Sequence, residues 1–414
     1  MNLFEILAML VGLTALFGFL NHRFLRLPHT IGLMLIALLA SIAAILLDTI
    51  IPSSGMREAI ASLLGQIDFH ATVMHGMLSF LLFAGALHVD FTLLQERKWP
   101  ILVLATVGIV ISTFVVGGAL WLVLGLLGLP LPFIWALVFG ALISPTDPVA
   151  VLGIFKAIDV PPALEAKVAG ESLFNDGVGV VVFSILASIA VGNSQGAVGV
   201  QDIATIFLQE AVGGVMLGLI AGYIGYRAMH AIDDYVLEIL ISLALVMVTY
   251  AIAIKLHMSG PIAMVVAGLL IGNQGVKFAM SEKTQKHLLN FWELIDEILN
   301  SVLFLLIGLE VLVVSFSIDY VVAGLLAIPI SLLGRSIGVG LPMAVLSIRM
   351  TFTKGAVPVL IWGGLRGGIA VALALSLPEH ALKPLILAAT YAVVVFSIVI
   401  QGGTTKSLVN RVVS

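Results

Sequence analysis

The stretch Gly140–Phe183 decides how this chain is read. It runs GALISPTDPVAVLGIF (140–155), then a polar turn, then GESLFNDGVGVVVF (170–183). The flanks are apolar enough for lipid, yet the centre carries Ser144, Thr146, Asp147, Glu171, Ser172, Asn175 and Asp176. Pro145 and Pro148 bracket Thr146-Asp147. A proline removes a backbone donor and pushes the residue before it out of the helical region. The stretch therefore predicts a helix broken at its centre. Broken backbone at membrane depth is tolerated only where it is buried in protein or lines a cavity. Carboxylates at that depth mark a functional site.

The surrounding chain supports membrane depth. Of 414 residues, 61% are hydrophobic and 10% charged, against about 25% charged in soluble domains. This is an all-α polytopic membrane protein. With about 20 apolar residues per span, the sequence predicts thirteen: 3–20, 31–51, 71–88, 101–127, 132–155, 169–192, 203–229, 236–256, 259–275, 290–314, 320–346, 356–377 and 385–402. The span 259–275 is short and Gly-rich. The first apolar run lacks a basic flank and reads as a span, not a cleaved signal. Few residues follow Gln401, so residues 1–414 are expected to form a single membrane unit with no sizeable soluble domain. The absence of cysteine excludes disulfides and Cys-ligated metal. The formal net charge of −4 carries little information, because most charges sit in loops.

Loop charge sets an orientation. Fourteen Lys and Arg follow odd-numbered spans, from Arg23 and Arg26 to Lys406 and Arg411, including Arg97, Lys167 and Lys354. Three follow even-numbered spans, Arg57, Lys255 and Lys383, and two lie inside spans, Arg335 and Arg366. Positive charge accumulates on the cytoplasmic side, so the N-terminus is expected outside and the C-terminus inside.

A second interruption matches the first. The twelfth span carries WGGLRGGIA, with Gly363, Gly364, Gly367 and Gly368 around Arg366. Each interior glycine costs a helix about 1 kcal/mol relative to alanine, so this segment also reads as unwound. The two interruptions are seven spans apart, and an odd offset reverses chain direction through the bilayer. That is the pattern of inverted repeats with discontinuous helices and a site at their interface.

On the sixth span Ser172 shares a helix face with Asn175 and Asp176, while Glu171 lies about a quarter-turn away. Hydroxyl, amide carbonyl, carboxylate and a free backbone carbonyl near Thr146 form a hard-oxygen set, suited to a small hard cation. Ser172 and Asn175 are also residue types that join helices by hydrogen bonds; Asp176, an unpaired carboxylate at that depth, demands a functional reason. The intramembrane acids are Asp147, Glu171, Asp176, Glu210 and Glu310, and the bases Arg335 and Arg366. Glu171 is expected to pair with Arg366 and Glu310 with Arg335, as structural ion pairs. Alternatively, Arg335 lies against the negative ends of broken half-helices. Asp147 is placed where positive helix ends converge. The nine histidines lie at span ends with no ligand-pair spacing, GGLRGG lacks a phosphate-binding lysine, and no basic aromatic face suggests nucleic acid.

SPTDPVAV (144–151), GESLFNDG (170–177), FLLIGLE (304–310), GRSIGV (334–339) and WGGLRGG (362–368) together resemble the monovalent cation:proton antiporters of the NhaP type, relatives of the animal sodium/proton exchangers. The resemblance implies a homodimer in the bacterial inner membrane and a thirteen-helix fold. Core helices would include 71–192 and 290–402, and interface helices the remaining spans. It implies Na⁺/H⁺ exchange by an elevator-like movement, with Li⁺ or K⁺ as alternative cations and no cofactor. Asp176 would be the ion-binding carboxylate, with Thr146, Asp147 and Ser172 contributing, and Na⁺ held at Asp176, Ser172 and Thr146. Asn175 would take the place of a second aspartate of electrogenic relatives. Family members often carry LLFEGALH where this chain has LLFAGALH (81–88), so an oxygen at Ala84 is missing or replaced by water.

These readings predict a secondary transporter in which one carboxylate takes either H⁺ or a cation, giving 1:1 electroneutral exchange. Two other classes are alternatives. An intramembrane aspartyl protease would use Asp147 and Asp176, but its YD…GxGD pattern is absent. An ion-coupled organic-solute symporter would share the architecture.

Overall fold

A computed structural model describes residues 3–51, 69–96, 98–156, 160–192, 205–312, 317–350, 352 and 355–412. Of the charges used above, Arg57, Arg97 and Lys354 lie outside them. Every regular element among the described residues is helical. In chain order they are α1 (Phe4–Leu25), α2 (His29–Asp48), α3 (Phe69–Leu87), α4 (Lys98–Leu126) and the half-helices α5 (Phe133–Ile143) and α6 (Val149–Lys156). There follow α7 (Pro162–Gly192), α8 (Thr205–His230), α9 (Tyr235–Lys255), α10 (Gly260–Gly275) and α11 (Glu282–Glu310). The last are α12 (Ile318–Leu346), the half-helices α13 (Ala356–Trp362) and α14 (Gly368–Ser376), and α15 (Lys383–Val412).

Among the described residues nine of these helices are long and apolar enough to cross a membrane. With α10, α11 and the two broken pairs each counted once, the passages number thirteen. The breaks have the expected cause. α5 stops at Ile143, just before Pro145, and α6 starts after Pro148. At 1.5 Å per residue each half reaches only about halfway through a hydrocarbon core roughly 30 Å thick. α11 starts earlier than the sequence suggested. Ser281 caps it by accepting from the Thr284 N–H, and its first turns are charged, so an apolar count finds only the later part. Lys167, counted above as a loop charge, lies within α7 and is buried, its Nζ 4.9 Å from the Phe352 ring centroid.

Two groups of helices pack chiefly within themselves. One comprises α4, α5–α6, α7, α12, α13–α14 and α15; the other α1, α2, α3, α8, α9, α10 and α11. The sequence division put 71–88 and 290–314 with the core helices. In the structure α3 packs most extensively on α10, and α11 on α2, so both join the second group. Large apolar side chains stay exposed on outward faces, such as Phe4 and Val11 on α1 and Ile220 and Tyr223 on α8. That surface suits lipid rather than water.

The first group is locked at the crossing of α4 and α12. A Cβ on Gly338 would lie 2.8 Å from the Gly108 carbonyl oxygen, and one on Gly108 would lie 2.9 Å from that of Gly338. The two backbones touch with no side chain between them, the small-residue packing that brings membrane helices together. Gly340, two residues on, faces open space. Gly338→Val is expected to lower stability by about 1–3 kcal/mol through overpacking, whereas Gly340→Ala should be near neutral. Thermal unfolding of both variants in detergent checks this; equal midpoints would show that the crossing tolerates a side chain.

Candidate ion site at the crossing of two broken spans

The two breaks meet. The Asp147 N–H donates to the Leu365 carbonyl at 2.8 Å, forming an isolated antiparallel bridge between the unwound segments. Each segment has lost its helical partners, and buried backbone groups must find others. Each break supplies some of what the other lacks.

Helix ends at the crossing carry partial charges, and side chains of opposite sign stand against them. Asp147 Oδ1 accepts the Val149 N–H at 2.9 Å, at the start of α6. A Cβ on Gly367, the N-cap of α14, would lie 2.0 Å from Asp147 Oδ2, so only glycine lets that backbone close on the carboxylate. Asp147 thus faces two positive helix ends, as the sequence suggested. Near the negative end of α13, Arg335 donates to the Leu360 carbonyl through Nε at 3.1 Å and Nη2 at 2.8 Å. This is the second placement considered for Arg335.

The ion pairing differs from the expected one. Glu171 pairs with Arg335, not with Arg366: Nη1 donates to Oε1 and Nη2 to Oε2, the latter at 2.9 Å. The planar guanidinium matches the carboxylate fork in a bidentate pair, and both side chains are buried. Arg366 bends back to the Gly364 carbonyl through Nη1, its backbone N–H donates to Ser397 Oγ at 2.9 Å, and its Nε is buried without a partner among the described residues. Glu310, expected opposite Arg335, is buried and forms no ion pair among the described residues. The reason is topological: Glu310 ends α11 in the second helix group, while Arg335 sits at the centre of the first. Glu210 is half-buried at the start of α8.

Beside the bridge, Thr146, Ser172 and Asn175 form a buried cross-link. Asn175 Nδ2 donates to Thr146 Oγ1 at 2.8 Å, and its Oδ1 accepts the Thr146 N–H at 3.3 Å. Thr146 Oγ1 lies 3.1 Å from Ser172 Oγ. The amide therefore satisfies the unwound backbone with its oxygen and the Thr146 hydroxyl with its nitrogen, and its carbonyl is engaged rather than offered to a cation. Ser144 Oγ donates to Gly140 O at 2.6 Å and lies 2.9 Å from Ser112 Oγ, whose hydroxyl can donate to it, tying the break to α4.

A cavity of about 640 Å³ reaches the crossing from between the two helix groups. Of the five candidate ion ligands, Asp147 and Asp176 line it, and Thr146, Ser172 and Asn175 lie behind its wall. The Asp176 carboxylate makes no hydrogen bond to any described residue and faces the cavity. The cavity opens among the exposed residues Pro28, His29, His88, Glu165 and Glu293, which lie toward the odd-numbered loops. Glu165, Glu293, Asp296 and Glu297 line it as well, and no Lys or Arg does among the described residues. The α11 residues were missed in the sequence. Their signal was acids at i, i+3 and i+4 on one face of an apolar helix. Such a field concentrates cations.

Comparison with known proteins follows the same lines. The chain matches the family described as "Sodium/hydrogen exchanger, transmembrane" over residues 11–411. It is 46% identical to the Na(+)/H(+) antiporter NhaP of Pseudomonas aeruginosa, covering 99% of this chain and 96% of that one. It is 38% identical to the Na(+)/H(+) antiporter NhaH of Halobacillus dabanensis, covering 83% of each. The structure superposes on that of the sodium proton antiporter MjNhaP1 from Methanocaldococcus jannaschii with a TM-score of 0.76, 19% identity and full coverage of both chains. That likeness is one of fold.

The pairing makes a testable distinction. Removing one partner of a buried pair typically costs about 3–5 kcal/mol. Arg335→Ala and Glu171→Ala should each lower the unfolding midpoint, and the double variant should recover part of the loss. The same cycle with Arg366→Ala should show the weaker coupling. Equal coupling in both thermal-shift cycles would mean that Arg366 shares the carboxylate.

Proposed function

The chain belongs to the sodium/hydrogen exchanger family, and from that premise we propose that it is a secondary transporter exchanging Na⁺ for H⁺ at Asp176. It is a membrane transporter and not an enzyme; the protease and organic-solute alternatives find no support among its relatives. One observation carries the assignment of the site: Asp176 is the carboxylate at the crossing that faces the cavity with no partner among the described residues. Asp147 also faces it, but its charge stands against the starts of α6 and α14. Glu171 is neutralised by Arg335. One carboxylate charge is left for an ion.

Exchange then follows from competition. A proton or a sodium ion neutralises Asp176, and each excludes the other. The charged empty site would have to cross a low-dielectric barrier, at an effective cost of several kcal/mol per ion. The loaded site crosses more easily. With an amide at 175 engaged by Thr146, one H⁺ replaces one Na⁺, and exchange is 1:1 and electroneutral. Li⁺ or K⁺ would compete through the same oxygens. Thr146 and Ser172 hold the wall behind Asp176 and lend their hydroxyls when the site closes around an ion.

The two helix groups supply the moving parts. The group containing both breaks carries the site, and the group containing α3 and α11 forms the opposite wall and the homodimer contact. The excess of Lys and Arg in odd-numbered loops supports a cytoplasmic C-terminus, so the cavity opens inward. The protein then resides in the cell membrane, a bacterial inner membrane, with its N-terminus outside.

In proteoliposomes with an internal pH dye, added NaCl should change the internal pH at a rate insensitive to imposed voltage. Asp176→Asn should insert normally and abolish the response, because the amide cannot cycle a proton. Na⁺-dependent proton flux in that variant would remove Asp176 from the mechanism, and a voltage-dependent current would refute 1:1 exchange.

A further inference from the structure

We infer that Asn300 is a cation ligand on the wall opposite Asp176, supplying the amide oxygen that Asn175 does not. The inference rests on the exchange reading above. Asn175 was the asparagine that the sequence put at the site, but both ends of its amide are engaged by Thr146. Asn300, on α11, is in the opposite condition. Only 2% of it is exposed, it lines the cavity that Asp147 and Asp176 line, and its Nδ2 is buried without a partner. Its amide forms no hydrogen bond with any described residue. The carbonyl oxygen is not among the buried unpartnered atoms and forms no hydrogen bond with any described residue, so it is the end of the amide free to accept a ligand from the cavity.

Depth agrees with this role. Leu303, three residues farther along α11, packs against the start of α14: a Cβ on Gly368 would lie 2.4 Å from Leu303 Cδ1. Gly367, the residue before it, closes on Asp147. Three helical residues advance roughly 4.5 Å, so Asn300 stands within a turn of the level of the crossing. Glu293, Asp296 and Glu297 precede it on the same face of α11. A cation entering past them meets the Asn300 carbonyl before the crossing. The α3 wall facing it is apolar at Leu78, Leu81, Leu82 and Ala84, and the polar side chain on that side is His88 at the mouth.

The chemistry fits a small hard cation. An amide carbonyl is a neutral hard donor, so it holds Na⁺ without adding charge to be neutralised. It also sits on a different helix group from Asp176. A ligand shared across the two groups binds the ion while the cavity is open on this side and releases its hold when the groups move apart. Asn300 therefore sets affinity and cation preference on the cavity side.

The test uses the full chain in proteoliposomes, with NaCl or LiCl titrated on the cavity side and flux read by the pH dye. Asn300→Ala should raise the NaCl needed for half-maximal flux about tenfold, the scale of one lost polar contact, with the saturated rate little changed. Asn300→Asp keeps an oxygen there and adds charge; it should lower that concentration below wild type and alter the Na⁺/Li⁺ ratio. If the alanine variant does not fold, the aspartate variant decides alone. An unchanged half-saturating concentration, or a fall in saturated rate with no change in it, would overturn the inference. A wild-type protein with no NaCl-triggered pH change would instead refute the exchange reading, so the two failures are distinguishable.

Discussion

Everything in this structure depends on the crossing of two broken helices. A break at membrane depth leaves backbone donors and acceptors bare, and there is no water there to satisfy them. The Asp147–Leu365 bridge answers part of that demand. The Thr146–Asn175 contacts answer another part. The helix ends created by the breaks carry partial charges, and those fix where ionised side chains can stand. Asp147 takes the positive ends, and Arg335 with Arg366 the carbonyl ends near Leu360 and Gly364. Glu171 follows from Arg335, because a lone buried guanidinium would be costly.

On the proposed reading, this ordering separates structural carboxylates from the one that exchanges ions. Of the three acids around the crossing, two are committed: Glu171 to a guanidinium, Asp147 to helix ends. Asp176 is on the same helix as Glu171, five residues on, yet it faces the cavity. A scaffold that commits the other two acids at the crossing leaves one exchangeable site on this reading. The net charge that moves then depends on what occupies that site alone. The acidic lining of the cavity raises the local cation concentration without joining this balance, because those side chains stand nearer to solvent.

The sequence revealed the breaks because they are punctuated by residues with strong backbone consequences. SPTDP and GGLRGG have no reading as continuous helix. The positions of Asp147 and Asp176, and the thirteen passages, follow from that punctuation and from hydropathy. The partner of Glu171 did not follow. Arg335 and Arg366 are equivalent in sequence, each a lone base in an apolar span. Only the path of α12 past the end of α13 brings Arg335 to the carboxylate, through a space left by Gly364, where a Cβ would lie 2.4 Å from Arg335 Nε. Nor could spacing show that Asn175 turns toward Thr146. Its helical face is shared with Asp176, but one amide rotation decides between cation and backbone.

The assignment of α3 and α11 to the second helix group bears on how the site moves. Ala84 and Asn300 face the cavity from that group, while Asp147 and Asp176 face it from the other. The cavity is therefore not a pocket within one packed unit. It is the gap between two units, and the buried Glu171–Arg335 pair lies within one of them. Contacts across the gap include the apolar packing of Leu303 against the start of α14 and a hydrogen bond from His70 Nδ1 on α3 to the Ala372 carbonyl of α14 at 3.0 Å. A sliding movement separates no buried ion pair among the described residues and has that hydrogen bond to exchange. The Glu171–Arg335 pair and the Asp147 cradle lie wholly inside the first group, so they travel with it intact. On the proposed exchange reading, a relative displacement of the two groups would change which side of the membrane Asp176 faces and leave the charge balance around it unchanged.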